Sequence, residues 1–235
     1  MPDLDEPSAI HALQRQPSMV DFPGRLAVLM FTCGCDFRCG FCHNAQLIGD
    51  LHAKTYTYRA LKEKMLQYRE DWVGAVSITG GEPTLQPALP DTLRFFKALG
   101  FQLKLDTNGA HPDVLEAILP LVDYVAMDIK CALDHYPQFV HYAHPDRIRA
   151  SIRLVIDHAK DYEFRTTVLE PWHTDAEILA AARELKGARR WIFQPYLPHD
   201  DIPDPALAKI PRTRPSVLEH CASLARPFVP AATTR

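Results

Sequence analysis

The chain alternates between two hydrophobic rhythms. Residues 26–31 are apolar on both faces, as strands sandwiched between layers are, and residues 73–79 repeat the pattern. Residues 101–106 alternate instead, so that Gln102, Lys104 and Asp106 share the face opposite the apolar one. Further strands are predicted over 122–130, 162–169 and 191–194. Helical spacing fills the gaps. Tyr58, Leu61, Met65 and Tyr68 recur at steps of three and four behind Thr57, a capping residue. A second helix stops at Gly100, glycine being the usual residue just past a helix end. A third covers 112–119, and a fourth runs through Ile148, Ile152 and Val155. Thr174-Asp175-Ala176-Glu177 is a capping box opening a fifth, which stops at Gly187. Residues 1–19 read as an irregular arm, partly helical around 10–14, and Val20-Asp21-Phe22-Pro23-Gly24 as a turn. After the last strand, proline-rich coil over 195–215 leads to a terminal helix around 217–224.

Six strands alternating with helices predict parallel βα units wound right-handedly into one sheet. Eight would close a full barrel in roughly 250 residues. Six in a chain of 235 therefore predict an α/β fold of the partial (β/α)6 barrel type, with helices outside and a lateral cleft. The expected division is an arm over 1–19, the barrel over 20–198, and a proline-rich C-terminal extension with its helix over 199–235. A lumen explains the polar face of the third strand, and active sites of such folds gather at the C-terminal strand ends.

The unusual residues fall at those ends. Cys35, Cys39 and Cys42 follow the first strand and Gly80-Gly81-Glu82-Pro83 the second. Asp106-Thr107-Asn108-Gly109 follow the third and Asp128-Ile129-Lys130 the fourth. Soft thiolates select zinc, copper(I) or iron–sulfur, and three of them around a cubane leave one iron without a protein ligand. A Cys3His zinc site with His43 is the competing assignment, though all its ligands crowd into one loop and no second pair follows. Disulfides are disfavoured by a start, Met-Pro-Asp-Leu-Asp-Glu, that lacks a signal segment, so a reducing cytoplasm is the expected location. The two glycines either form a plain turn or let a polar ligand reach backbone groups. Asp128 and Lys130, two apart, point to one face, where a buried ion pair without a use would be costly to desolvate. The net charge of −3, with signs intermixed, supplies no nucleic-acid patch, and no apolar run approaches the ~20 residues of a membrane helix. Cys33, Cys131 and Cys221 are expected to be buried structural thiols, and His173 and His199 ordinary surface histidines.

Taken together, the cysteine loop, Gly-Gly-Glu-Pro and the barrel resemble the radical S-adenosylmethionine superfamily across residues 20–198. The resemblance implies that Cys35, Cys39 and Cys42 hold a [4Fe-4S] cluster whose open iron is chelated by S-adenosylmethionine. It implies Phe41 beside the adenine and Thr79, Gly80, Gly81 and Glu82 around the methionyl amino group. Cys42-His43-Asn44, Asp106-Thr107-Asn108-Gly109 and Asp128-Ile129-Lys130 look like the glycyl-radical-enzyme activating enzymes. There the aspartates sit, in at least some members, near a monovalent cation. By that likeness Asp106, Thr107 and Asp128 surround the cofactor carboxylate with such a cation, Lys130 contacts it, and Arg165 lies close by. No cysteine falls between Cys42 and Gly80, unlike activases with a ferredoxin-like insert. Residues 20–24, 126–130 and 164–168 look most like the activase of anaerobic ribonucleotide reductase, with that of pyruvate formate-lyase as the alternative. The implied reaction is abstraction of a glycine Cα hydrogen from a partner enzyme, with flavodoxin or ferredoxin as reductant. Radical chemistry on a small molecule or peptide, and a zinc-binding scaffold without catalysis, are the other assignments.

Overall fold

Residues 2–49 and 53–235 are described by the computed structural model. Eight strands stand side by side in chain order. They are β1 (Ala12–Leu13), β2 (Ala27–Thr32), β3 (Ala75–Gly80), β4 (Gln102–Thr107), β5 (Tyr124–Asp128), β6 (Tyr162–Val168), β7 (Arg190–Pro195) and β8 (Ala231–Thr234). The helices are α1 (Tyr58–Glu70), α2 (Leu89–Ala98), α3 (Pro112–Ile118), α4 (Tyr136–Phe139), α5 (Pro145–His158), α6 (Asp175–Glu184), α7 (Pro205–Ala208) and α8 (Pro215–Ala225). All six predicted strands are present, and β2 to β8 run parallel. The edge strands do not pair with each other, so the sheet stays open. Among the described residues no helix is long and apolar enough to cross a membrane.

The apolar faces read from the sequence do bury. Tyr58, Leu61 and Met65 of α1 and Leu89, Leu93, Phe95 and Phe96 of α2 pack into one core that continues through Ile148, Ile152 and Val155 of α5. Thr57 Oγ1 accepts from the Ala60 N–H at 3.3 Å, as an N-cap should. The capping box at α6 forms only half. Thr174 Oγ1 accepts from the Glu177 N–H at 3.4 Å, but the Glu177 carboxylate turns away to the Ala132 N–H at 2.5 Å and His135 Nδ1 at 2.6 Å. The glutamate thus ties α6 to the loop leaving β5.

Both ends of the sheet differ from expectation. Residues 10–14 are extended rather than helical: β1 pairs antiparallel with β2, and the N–H groups of His11 and Gln14 reach Phe31 O and Leu29 O, each at 2.9 Å. The reason is the edge of β2, whose backbone groups need a partner, and the burial of Ala9 and Ile10 beside it. At the other end α8 lies where a terminal helix is predicted, and it returns the chain to lay β8 along β7. That strand, Ala-Ala-Thr-Thr, has no apolar run to announce it.

Candidate active site

The C-terminal strand ends surround a cavity of about 280 Å3. Cys39, Phe41 and Cys42 reach it from the loop after β2, and Thr79, Gly80, Gly81 and Glu82 from the tip of β3. Asp106 and Thr107 reach it from β4, Asp128 and Lys130 from β5, and Arg165 from β6. Cys35 does not line the cavity; its Sγ lies 3.8 Å from Nδ2 of Asn108, which does. Asn44, Asn108, Thr167 and Gln194 also line the cavity and were not singled out as site residues. Gln194, a lone polar side chain ending an apolar run, carries the signal that finds it.

The Gly-Gly pair is explained by backbone contact. The Gly81 N–H donates to Thr32 O at 2.9 Å and the Glu82 N–H to Gly34 O at 2.7 Å, so the β3 tip is stapled to the cysteine loop. A Cβ on Gly80 would fall well inside 3.0 Å of Thr32 O, and one on Gly81 well inside 3.0 Å of Gly34 O. Gly80 also has φ +124°, outside the range of side-chain-bearing residues. Glu82 is fully buried and accepts four bonds: from Thr84 N at 3.1 Å and Oγ1 at 2.5 Å, Thr107 Oγ1 at 2.7 Å, and Asn108 N at 2.6 Å. Burial pushes its carboxyl pKa up, against the pull of those donors. Asn108 then donates from Nδ2 to Asp36 Oδ1 at 3.0 Å. Three strand tips are held together through Glu82 and Asn108.

Below this frame lies a ladder of charge. Lys104 Nζ donates to Asp106 Oδ1, and Arg165 Nη1 lies 3.3 Å from Asp106 Oδ2. Arg165 Nε lies 2.9 Å from Asp128 Oδ1, and Lys130 Nζ 2.8 Å from Asp128 Oδ2. Burial alone would raise the Asp128 pKa, but Arg165 and Lys130 hold it well below the usual carboxylate range. Lys104, read from the sequence only as part of a polar face, is 2% exposed and belongs to this ladder.

His173 is not a surface residue. It is buried at 5% exposure, its Nδ1 accepting from the Leu169 N–H at 2.9 Å and its Nε2 donating to Lys130 O at 2.9 Å. Burial lowers its pKa, consistent with a neutral ring in that tautomer. It fastens the β5 tip, and with it Lys130. His173→Ala is expected to cost about 1–3 kcal/mol, because a buried N–H and carbonyl both lose their partner. Urea unfolding checks this, and a loss under about 0.5 kcal/mol would mean water replaces the ring freely. His199 is exposed, as expected. Cys33, Cys131 and Cys221 are buried.

The profile of the Radical SAM superfamily matches residues 29–185, which span the cysteine loop and β2 to β6. The chain belongs to the radical SAM superfamily. It is 31% identical over 220 residues, 90% of each chain, to a Methanocaldococcus jannaschii protein provisionally named a glycyl-radical enzyme activating enzyme. It is 35% identical over 125 residues, 52% of each chain, to the pyruvate formate-lyase-activating enzyme of Clostridium pasteurianum. Among solved structures, TYW1 with a lysine–pyruvate adduct bound matches at TM-score 0.64 and 17% identity, covering 88% of this chain and 76% of its own. At that identity the likeness speaks for the fold.

Radical SAM enzymes carry a [4Fe-4S] cluster and S-adenosylmethionine, and the donor set here suits both. Three thiols come from one loop, with Cys39 and Cys42 facing the cavity. Burial raises the Cys35 pKa to about 12 and that of Cys39 to about 11, so cluster assembly must release protons. A cubane takes each thiolate at a separate iron, so the sulfurs need not meet at one ion. Among the described residues no three His, Cys, Asp or Glu side chains converge as a single metal ion requires, and His43 Nε2 instead lies 2.9 Å from Leu197 O. The Cys3His zinc site therefore has no assembled ligand set. Lys130 and Arg165 offer positive charge to a carboxylate. A monovalent cation between Asp106 and Asp128 fits less well, since each of their four oxygens already has a cationic partner.

Proposed function

We propose that this radical SAM enzyme is the activating enzyme of a glycyl radical enzyme, and that its partner is an anaerobic ribonucleotide reductase. The observation that carries the activase assignment is the 31% identity to the Methanocaldococcus jannaschii protein, which runs through 90% of both chains rather than through the cluster region alone. The choice of partner rests on residues 20–24, 126–130 and 164–168, which look most like the reductase-activating type.

In this proposal Cys35, Cys39 and Cys42 hold the cluster, and the Gly80-Gly81-Glu82 tip receives the cofactor's amino group. Phe41, packed at 5.3 Å against the Phe139 ring, borders the adenine. Lys130 and Arg165 orient the carboxylate. Once bound and reduced by flavodoxin or ferredoxin, cluster and cofactor supply one-electron cleavage of a carbon–sulfur bond and the radical that removes a glycine Cα hydrogen atom. Glu82 and Asn108 keep the strand tips from shifting while this happens, and the unclosed sheet leaves a way in for a peptide loop of the partner.

The test is anaerobic reconstitution followed by mixing with coexpressed glycyl radical enzymes, the reductase among them. S-adenosylmethionine should be cleaved, and electron paramagnetic resonance should show a glycyl doublet with the reductase. A doublet with a different partner would replace the reductase but keep the activase. Cleavage with no doublet from any partner would refute the activase assignment itself.

A further inference from the structure

Asp106 and Asp128 are crowded by positive charge. Arg165 spans them, reaching Asp106 Oδ2 at 3.3 Å and Asp128 Oδ1 at 2.9 Å. The remaining oxygens belong to lysines: Asp106 Oδ1 to Lys104 and Asp128 Oδ2 to Lys130 at 2.8 Å. Lys104 is the least exposed of these, at 2%. It faces Ser77, its register partner on β3, with Nζ 3.5 Å from Ser77 Oγ. Burying an ammonium is costly unless it is paired. Here the pairing is supplied by Asp106, on the same face two residues along β4.

Counting the ladder gives three cations, Lys104, Lys130 and Arg165, against two carboxylates. Two further acids lie near the ladder. Glu163, also near Arg165, uses Oε2 to accept from Tyr124 Oη at 2.8 Å and to face Arg235 Nη2 at 3.4 Å, and its buried Oε1 has no hydrogen-bond partner, while Glu82 has its own four donors. A metal cation seated between Asp106 and Asp128 would stand against the fixed charges of Lys104, Lys130 and Arg165, at carboxylates whose four oxygens are already paired.

We propose that Lys104 supplies from within the chain the charge that a monovalent cation would otherwise bring beside Asp106 and Asp128, so that the cavity takes up S-adenosylmethionine independently of such a cation. This rests on reading the cavity as the S-adenosylmethionine site. Lys104 is a positioning residue: it neutralises Asp106 from below, which leaves Arg165 and Lys130 to the ligand carboxylate.

The experiment measures S-adenosylmethionine binding to the reconstituted, unreduced protein by equilibrium dialysis in potassium, sodium and tetramethylammonium chloride at equal ionic strength. The dissociation constants should agree within about twofold across the three salts. Lys104→Met should bind roughly tenfold more weakly in tetramethylammonium chloride and recover in potassium or sodium chloride, because a small cation then has a vacant position beside Asp106. Lys104→Arg should show no salt preference. Thermal unfolding of the cluster-free protein is an independent readout. The wild-type midpoint should be the same in all three salts, whereas that of Lys104→Met should rise with potassium or sodium. Potassium or sodium strengthening wild-type binding by about tenfold or more overturns the proposal, as does Lys104→Met behaving like wild type in every salt. The wild-type series needs no variant to fold. If the wild type binds S-adenosylmethionine in none of the salts, the cofactor assignment fails instead, and the thermal comparison judges Lys104 alone.

Discussion

Gly81→Ala is expected to abolish iron incorporation and to weaken the fold together. The added methyl would lie well inside 3.0 Å of Gly34 O and 3.1 Å from Leu47 O, both backbone atoms that no rotamer change can move aside. Overpacking of this kind costs about 1–3 kcal/mol, and more where backbone must shift. The shift would break the Glu82 N–H bond to Gly34 O, one residue before Cys35. Iron and sulfide content after anaerobic reconstitution, with a urea curve on the same preparation, measures both effects. Gly74→Ala is the control, since nothing lies within 4 Å of its Cβ position, and it should reconstitute normally. A Gly81→Ala protein that takes up a full complement of iron would show that the loop yields without losing its shape.

Removing the carboxylate of Asp128 is expected to have the largest effect on stability. Asp128→Ala leaves Lys130, at 17% side-chain exposure, without its ion-pair partner and Arg165, at 13%, with Asp106 alone. Breaking a buried ion pair from one side costs about 3–5 kcal/mol. S-adenosylmethionine binding should fail as well, since the two cations lose their common anchor. The same carboxylate sets an acid dependence. Its folded pKa is depressed, so the unfolded chain binds the proton more readily. Its contribution is therefore complete above the unfolded value of about 4 and is lost as pH falls below it. Urea midpoints of the wild type should drop across that acid range, and those of Asp128→Asn should drop less. Parallel curves would place the acid sensitivity elsewhere.

Much of this was legible in the sequence because the strands of a parallel sheet are buried on both faces. Residues 26–31 and 73–79 announce themselves, and once six strands are placed, the cysteines, Gly80-Gly81, Asp106 and Asp128 fall on one rim by arithmetic. What was not legible depends on neighbours in space. β8 is four small or polar residues that become a strand because β7 has an edge to cover. β1 is two residues recruited by the edge of β2 in the same way. His173 has no periodic context, and only the fold brings it under Lys130. Lys104 was visible on the polar face of β4, but Arg165, which shares Asp106 with it, comes from a strand 61 positions later in number, so the ladder needed coordinates.

The strict match between strand order and chain order has a consequence for biosynthesis. Gly34, Gly81, Glu82 and Asn108, which brace the thiol loop, all precede residue 110, on or beside β2, β3 and β4. Arg165, which completes the charge ladder, is made much later. In vectorial synthesis the N-terminal part of a chain is available first. These early braces therefore leave the ribosome ahead of Arg165, whereas the bonds that tie the same loop to Val140, Leu197 and Asp204 close only after the later half of the polypeptide has been made.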